Sequence, residues 1–497
     1  MAFVSIDTVA ARDPASRDVF GYRIVALLWF LYLFAPQKLL VYYTDAARPL
    51  TWMLEVMLVT TSVAMVFTRR PDAPRRGYPA FSILFALTLL GIAMAVIYGE
   101  FLPARDRLRQ VYQFYLLAQL TVVYCDRPER AKVILQIYFL HFIYFGLWGA
   151  VSLSYAPIAE AVDPGLRDII YWHIAYGNRD AFGPVMVAGV IFSIYYAQAF
   201  RPGSKLAVGN VGLCLVGVFT SFGRGVFVSL VVAAGVMWMR ARNKLRIALL
   251  LAACLSVTPF LAPSLTQRYI TSMSTIFTEG TQQGTGADRK ILWSWGWRIF
   301  KNNPIAGVGP GNFGVVILDE VPLSEAAIYG YNRNTLYGRV THSMPITLLS
   351  EYGILGMLAM LYVLFDFFKT NGAIRQVSGT MACGFSPEYA NAVSAGLQTA
   401  FISVCVNSLV YPTLYLPLFW HLVTINRMVY FAAGATAATA TRPRWWPSRQ
   451  IAWRGPKAPV LQVRADTPTV QPSPSGTLSS ARAVRPPMFV TVRSGAR

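Results

Sequence analysis

The sequence predicts an all-α, polytopic membrane protein with about twelve transmembrane helices and one long outer loop. Composition is the first observation behind this fold class, because 55% of the 497 residues are hydrophobic and only 13% are charged. A soluble domain carries about 25% charged residues. The other two observations are a series of apolar runs of about 20 residues, long enough to span a bilayer, and basic clusters between these runs.

The apolar runs, taken in order, give the predicted spans. They lie at 23–43, 50–67, 79–98, 108–124, 132–154, 181–199, 206–222, 226–239, 245–262, 343–366, 390–410 and 413–433. The chain then divides into a polar N-terminus (1–22), nine helices (23–262), a long loop (263–341), three helices (342–433) and a basic tail (434–497). The tail is rich in Pro, Ser and Thr, a composition that cannot bury enough apolar surface to fold.

The basic residues predict the orientation, because cytoplasmic loops carry an excess of Lys and Arg. If the N-terminus is cytoplasmic, the inner loops hold most of the basic clusters, in the segments 68–78, 125–131, 200–205, 240–244 and 367–389. We therefore expect both termini in the cytoplasm. The long loop 263–341 then lies on the outer side, and the first run fits a retained signal anchor.

One helix is predicted inside the long loop, at 289–302, with Asp288 as its N-cap and Pro304 beyond its end. Three tryptophans and four cations alternate along it: Arg289, Lys290, Trp293, Trp295, Trp297, Arg298 and Lys301. This pattern is typical of an interfacial amphipathic helix. A second interpretation is that some of these side chains line a sugar and phosphate site. The glycine-rich segment 304–313 that follows is weak evidence for a phosphate-binding turn, since it lacks the lysine of a P-loop.

His342 is the first candidate for chemistry. It ends the long loop, and an apolar helix follows with Pro345 in its first turn, where proline is tolerated. A neutral imidazole can take a proton from a hydroxyl near neutral pH. Glu351 lies nine residues further on, about 13 Å deeper in a helix, and should face protein or a water-filled cavity. His141 and His421 lie within spans, where a histidine is usually a packing residue.

Arg224 is the second candidate, at the outer start of the eighth span and between two glycines. A guanidinium matches phosphate oxygens in a bidentate fork, and a helix N-terminus also favours anions. Arg289 is a similar candidate on weaker grounds. Two further outer arginines, Arg105 and Arg107, either hold anionic head groups or acidic sugars or form an ordinary outer rim. The sequence contains no C-x-x-C pair, and we expect no metal or cofactor site.

Three blocks of this sequence resemble the bacterial O-antigen ligase and polymerase superfamily of lipid-linked glycan transferases. The first, 221–225, is similar to the family's Ser-Arg-Gly turn, and the second extends from Arg289 to Phe313. The third is His342-Ser343, nine residues, then Gly353-Ile354-Leu355-Gly356, which resembles the ligases' histidine signature. The ligase signature continues with Thr-Gln, whereas Met357-Leu358 stands here, so polymerase and exopolysaccharide roles stay open. Gly353 and Gly356 would let neighbouring helices approach closely.

The resemblance implies a metal-independent, inverting glycosyltransferase in the bacterial inner membrane, acting at the periplasmic face without a cofactor. Its donor would be a glycan on undecaprenyl diphosphate, and its acceptor a glycan or lipid-glycan. Membrane lipids and polysaccharide assembly proteins are further expected partners, and nucleic acid is not. On this resemblance, His342 orients or deprotonates the acceptor, Arg224 and Arg289 hold the diphosphate, and Glu351 shapes the helix packing or the local electrostatics.

Alternative functions remain open at this point. Within the superfamily they are ligation of O-antigen to lipid A-core and transfer of a glycan to protein. A transporter or lipid-glycan flippase belongs to another class, and twelve spans with intramembrane charge would suit it too. Such transporters often have two related halves, but the sequence has no six-plus-six repeat. A scaffold protein of an assembly complex would leave His342 without a chemical role.

Overall fold

This computed structural model describes residues 14–34, 48–68, 79–97, 101–162, 179–199, 204–221, 223–241, 244–245, 285–378 and 385–434. Throughout these ranges the secondary structure is helical, and no strand occurs in them. All of these residues belong to one compact unit, Met1–Arg442. The second unit, Pro443–Arg497, lies outside the described residues, as does most of the predicted basic tail.

The helices fall into three groups along the chain. Helices α1 to α8 are Pro14–Phe34, Arg48–Thr68, Pro79–Ile97, Phe101–Tyr124, Pro128–Val162, Arg179–Ala199, Lys205–Thr220 and Arg224–Arg240. The loop helices α9 to α12 are Thr285–Asn302, Phe313–Glu320, Leu323–Ile328 and Arg333–Leu336. Helices α13 to α15 are Met344–Val377, Pro387–Ser408 and Pro417–Ala432, with a short 3₁₀ turn, Thr413–Tyr415, before α15.

The all-α fold class is confirmed for the described residues. A helix overlaps each predicted span except the ninth, 245–262, which lies outside the described residues apart from its first position. Within the described ranges, four helical segments are long and apolar enough to cross a membrane: Pro128–Val151, Ala181–Ala199, Met344–Val377 and Pro387–Ser408. Helix α1 begins at Pro14, so the polar segment predicted as 1–22 is partly helical.

The core of the helical bundle is formed around α6, whose residues 181–193 are all buried. Helix α6 packs against α5, α7 and α14. The two histidines predicted to be packing residues lie among aromatic rings of this bundle. The His421 ring centroid lies 5.0 Å from that of Trp29, and His141 lies 4.7 Å from Phe145. Both contacts support the packing interpretation for these residues.

The loop between α8 and α13 has a small core of its own. Its buried apolar residues are Leu292, Trp295, Ile299, Val308, Phe313, Val316, Ile317, Val321, Ala326, Tyr331 and Leu336. The predicted loop helix is present, but it begins at Thr285 rather than after Asp288. Asp288 therefore lies within α9 and is not its N-cap.

An ion pair on the loop surface joins α9 to α11. Arg298 donates two 3.0 Å hydrogen bonds to the carboxylate of Glu325, and the Trp295 indole donates another at 2.8 Å. The hydrogen bonds from Arg298, and then from Trp295, hold the pKa of Glu325 below its usual range. Trp295 is buried while Trp297 is 45% exposed, so only part of the tryptophan pattern faces outward as an interfacial helix would require.

Candidate functional site

Helix α13 is broken at Gly353, whose backbone angles are φ 62° and ψ −158°. A break in a helix leaves backbone carbonyl and N–H groups without their helical partners. When these groups are buried, they need other hydrogen-bond partners. The segment 304–309, which follows α9, supplies them. Val308 and Gly309 donate to the carbonyls of Ser350 and Glu351 at 3.0 and 2.9 Å, and Ile354 and Leu355 donate to the carbonyls of Pro304 and Ile305 at 2.9 and 3.4 Å.

The two backbones meet where each has a glycine. Gly307 has φ 67° and Gly353 has φ 62°, a region that L-residues with a side chain rarely adopt. A Cβ on Gly307 would overlap the backbone of Glu351, and a Cβ on Gly353 would overlap the carbonyl of Ile305. Gly353 therefore allows close approach of this loop segment rather than of a neighbouring helix, which corrects the expectation from the sequence.

The glycine-rich segment 304–313 has a structural role in this arrangement. Its N–H groups at Val308 and Gly309 donate to the backbone of α13. Those of Gly311 and Phe313 donate to the side chain of Glu351. These N–H groups are used within the protein, so the structure favours a docking segment over the phosphate-binding turn that the sequence left open.

Glu351 lies at the centre of this junction and is only 5% exposed. Besides the two backbone donors, its Oε2 accepts a 2.6 Å hydrogen bond from the Tyr415 hydroxyl. Phe313 is the first residue of α10, and the N-cap residue Asn312 makes no side-chain capping bond. Glu351 thus acts as the cap of α10, since a carboxylate is favoured at a helix N-terminus. The expectation that this carboxylate faces protein is confirmed.

Only one of the two outer arginines joins this cluster. The guanidinium of Arg107 lies 4.4 Å from the centroid of the Tyr415 ring and attracts the Glu351 carboxylate. Arg105 is exposed and pairs with the exposed Asp106 at 3.4 Å. Tyr415 is a residue of this cluster that was not predicted from the sequence, because it lies inside the predicted span 413–433. A signal was available, because Pro417 begins α15 and marks the preceding residues as a separate turn.

His342 lies immediately before α13 in a tight turn. Its φ of 52° is the only positive value at a non-glycine residue among those described. The Thr341 hydroxyl donates to the Ser343 carbonyl at 2.8 Å and accepts from the Ser343 N–H at 3.3 Å, and the Thr347 hydroxyl donates to the same carbonyl at 2.8 Å. The left-handed conformation costs about 1–2 kcal/mol. Residues held in this way are concentrated at functional sites.

Helix α9 packs against the turn that holds His342. A Cβ on Gly296 would overlap the side chain of Ile346 and would lie 3.7 Å from Cγ2 of Thr341. Arg289 lies seven residues before Gly296, about 10 Å away along the helix axis and on the same face. Helical spacing therefore places Arg289 on the same face of α9 as Gly296.

Arg224 is the first residue of α8, after the N-cap residue Gly223. The start of α8 packs against the last turn of α14 and the connection after it, because a Cβ on Gly225 would overlap Val410 and would lie 3.2 Å from Oδ1 of Asn407. The connection reaches the first residue of α13, where the Thr413 hydroxyl lies 3.2 Å from the Met344 sulfur. The segment 407–413, which includes the end of α14, thus contacts the starts of both α8 and α13.

Asn407 is a residue of this junction that the sequence did not single out. It is 2% exposed, and its Nδ2 makes no hydrogen bond within the described part of the chain. A buried amide nitrogen without an acceptor is costly and calls for an explanation. An oxygen of a bound substrate near Arg224 would supply the acceptor. An asparagine inside an apolar run is the sequence signal that could have found it.

The fold and the site define a helical membrane protein in which a loop with a small core of its own packs on a broken helix. In the described ranges, no group of three or more His, Cys, Asp or Glu side chains is placed to hold a metal ion. Residues 209–361 match the family model of O-Antigen ligase, about a third of the chain. This match confirms, for that segment, the resemblance to the O-antigen ligase and polymerase superfamily. No curated protein matches the chain.

The matched segment contains four of the candidate residues, Arg224, Arg289, His342 and Glu351. Arg105 and Arg107 lie before it, as does most of the bundle that supports the site.

Proposed function

We propose that this chain is an inverting glycosyltransferase of the bacterial inner membrane. It polymerises or transfers oligosaccharide units linked to undecaprenyl diphosphate, at the periplasmic face, for O-antigen or exopolysaccharide biosynthesis. The observation that carries the proposal is the strained turn at His342, at the contact of α9 with α13 and within the family match. Both termini are cytoplasmic in this proposal, and the loop 263–341 is a periplasmic cap over the site.

The reaction needs three functions from the protein: a base for the acceptor hydroxyl, binding of the diphosphate, and stabilisation of the charge on the leaving group. The hydroxyl oxygen of the acceptor attacks the anomeric carbon of the donor sugar from the side opposite the diphosphate, so the configuration inverts. The bond from that carbon to the diphosphate oxygen breaks, and its electron pair leaves with the lipid diphosphate. His342 takes the hydroxyl proton. Arg224 and Arg289 bind the diphosphate and stabilise the charge that develops on it as it leaves.

Glu351 acts in this proposal as a positioning residue. Its carboxylate joins α13, the N-terminus of α10 and Tyr415, so it fixes the loop relative to the helix that His342 precedes. Arg107 supports the same cluster through the ring of Tyr415. Arg105 is exposed, and in this proposal it binds anionic head groups or acidic sugars at the surface.

The test is complementation of a strain that lacks this protein, with the surface glycan sized on gels. Wild type is expected to restore full-length polymer, whereas His342→Ala and Arg224→Ala at normal abundance are not. Arg333→Ala is the matched control, because it removes an exposed arginine of the same loop. If both site variants restore full-length polymer, the catalytic proposal is wrong.

The products distinguish the alternatives. Single repeat units on the surface indicate a polymerase, and long chains that are not attached indicate a ligase to lipid A-core. A glycoprotein that loses its glycan indicates transfer to protein. Lipid-linked units trapped on the cytoplasmic side indicate a flippase, which would refute transfer as the activity.

A further inference from the structure

Two arginines from different helices converge on one glutamine at the far end of the bundle. Arg240 is the last residue of α8, and Arg375 lies in the last turn of α13. Arg240 donates to Oε1 of Gln398 at 2.6 Å, and Arg375 donates to the same oxygen. A single neutral acceptor is therefore shared by two guanidinium groups.

The remaining bonds of the two arginines also go to neutral groups of α14. Arg240 donates to the Ala395 carbonyl at 3.3 Å and to the Thr399 hydroxyl at 3.0 Å. Arg375 donates to the Ser394 hydroxyl at 2.9 Å. Positions 394, 395, 398 and 399 lie on one face of a helix. Helix α14 thus holds the two cations side by side without supplying a negative charge.

Among the described residues, no carboxylate balances the charge of this pair. In the described part of the chain, neither arginine pairs with a carboxylate, whereas Arg109, Arg298 and Arg427 each do. Two like charges around one oxygen repel each other. Arg240 is exposed and Arg375 half-buried, so the pair is open on one side. An anion that binds both forks from that side would offset the repulsion.

The location of the two arginines indicates which anion they bind. Arg240 ends the helix that Arg224 begins, about 24 Å away along the axis, which approaches the thickness of the hydrocarbon core. Arg375 lies likewise at the end of α13 opposite His342. The pair is therefore on the opposite side from the proposed transfer site, where its ligand would not be the donor diphosphate. Basic pockets between membrane helices on the cytoplasmic side bind anionic lipid head groups.

We infer that Arg240 and Arg375, held by Gln398, form a binding site for the phosphate of an anionic phospholipid in the leaflet opposite the His342 site. The binding of an anion by this pair does not depend on the glycan-transfer proposal, whereas the exclusion of the donor diphosphate as its ligand rests on that proposal. The site gives α8, α13 and α14 a common lipid contact at that end of the bundle.

The experiment measures lipid affinity of the full-length protein in neutral detergent. Phosphatidylglycerol, phosphatidylcholine and inorganic phosphate are titrated separately, with intrinsic fluorescence and the unfolding temperature as readouts. Each guanidinium near the surface contributes about fivefold to the affinity for an anionic lipid, so R240Q and R375Q should each weaken phosphatidylglycerol binding about fivefold, and the double variant about thirtyfold. Lys205→Gln is the matched control, since it removes an exposed cation outside the pair, and it should bind like wild type.

Three results would overturn the inference. The first is wild-type affinity for phosphatidylglycerol in the double variant, and the second is equal affinity of the wild type for phosphatidylcholine. The third is an equal response to inorganic phosphate, which would assign the site to a soluble anion. If R375Q unfolds at a lower temperature than wild type without lipid, its weaker lipid binding could reflect lost stability. The R240Q variant alone then tests the inference, because the side chain of Arg240 is exposed.

Discussion

The docking of the loop segment 304–309 on the break in α13 makes a defined prediction for Gly353→Ala. The native angles, φ 62° and ψ −158°, lie in a region that is essentially restricted to glycine. The new Cβ would also overlap the carbonyl of Ile305. That carbonyl and the carbonyl of Pro304 accept the hydrogen bonds that restart the helix after the break.

The magnitude follows from these two effects. Forcing alanine into this conformation costs about 2 kcal/mol. Moving the carbonyls of Pro304 and Ile305 away from the new Cβ loses the two backbone hydrogen bonds that they accept, which contribute about 1 kcal/mol each. The total of about 4 kcal/mol lowers the ratio of docked to undocked loop about a thousandfold. Gly372→Ala is the matched control in the same helix, because a Cβ there meets nothing within 4 Å.

Limited proteolysis measures docking directly, with cleavage between residues 303 and 312 followed by mass spectrometry. Gly353→Ala should be cut rapidly there and should lose glycan transfer, while Gly372→Ala should behave as wild type. Equal cleavage rates and equal unfolding temperatures for the two variants would refute the reasoning about the broken helix.

Three further predictions follow from the same region. Glycine adopts the left-handed conformation of His342 without the cost of about 1–2 kcal/mol that a side chain adds. The His342→Gly variant should therefore unfold at a higher temperature than the His342→Ala variant, while both variants lack transfer activity. Equal unfolding temperatures would contradict the strain at His342. Arg107→Ala should lower stability by about 1 kcal/mol through its lost ring contact, and Arg105→Ala, which removes an exposed pair, should be neutral; equal losses would contradict the cluster. The lowered pKa of Glu325 stabilises the loop above the unfolded carboxyl pKa of about 4.3, and this stabilisation is lost as the pH falls through the folded pKa. Protease resistance of the loop should therefore decrease in acid, and Arg298→Gln should flatten that dependence; an unchanged profile would exclude the ion pair as its cause.

The all-α class was predictable because the helices of a membrane protein follow from local composition. Apolar runs of about 20 residues specify a span without reference to the rest of the chain. Pro345 marked the start of α13 for an equally local reason, and it does lie in the first turn. The start of the loop helix was misplaced by a few residues, because Asp288 is a good N-cap in sequence but the helix begins at Thr285.

The arrangement of the site was less predictable because it depends on partners distant in sequence. The apolar run 343–366 reads as one continuous helix, and nothing local marks the break at Gly353. The break is stable because a segment more than forty residues earlier supplies its hydrogen bonds. The carboxylate of Glu351 was predictable as buried, since charge in a span must be shielded. Its partner Tyr415 belongs to a turn more than sixty residues later.

The broken helix also sets an order of assembly for the protein. In hydrocarbon, each unsatisfied backbone group costs several kcal/mol, so the exposed groups around Gly353 cannot remain open for long in a bilayer. The segment 304–309 is synthesised before α13 and must already be near when that helix enters the membrane. Membrane insertion of α13 and folding of the preceding loop are therefore one coupled event, and a defect in either one would appear as a defect in both.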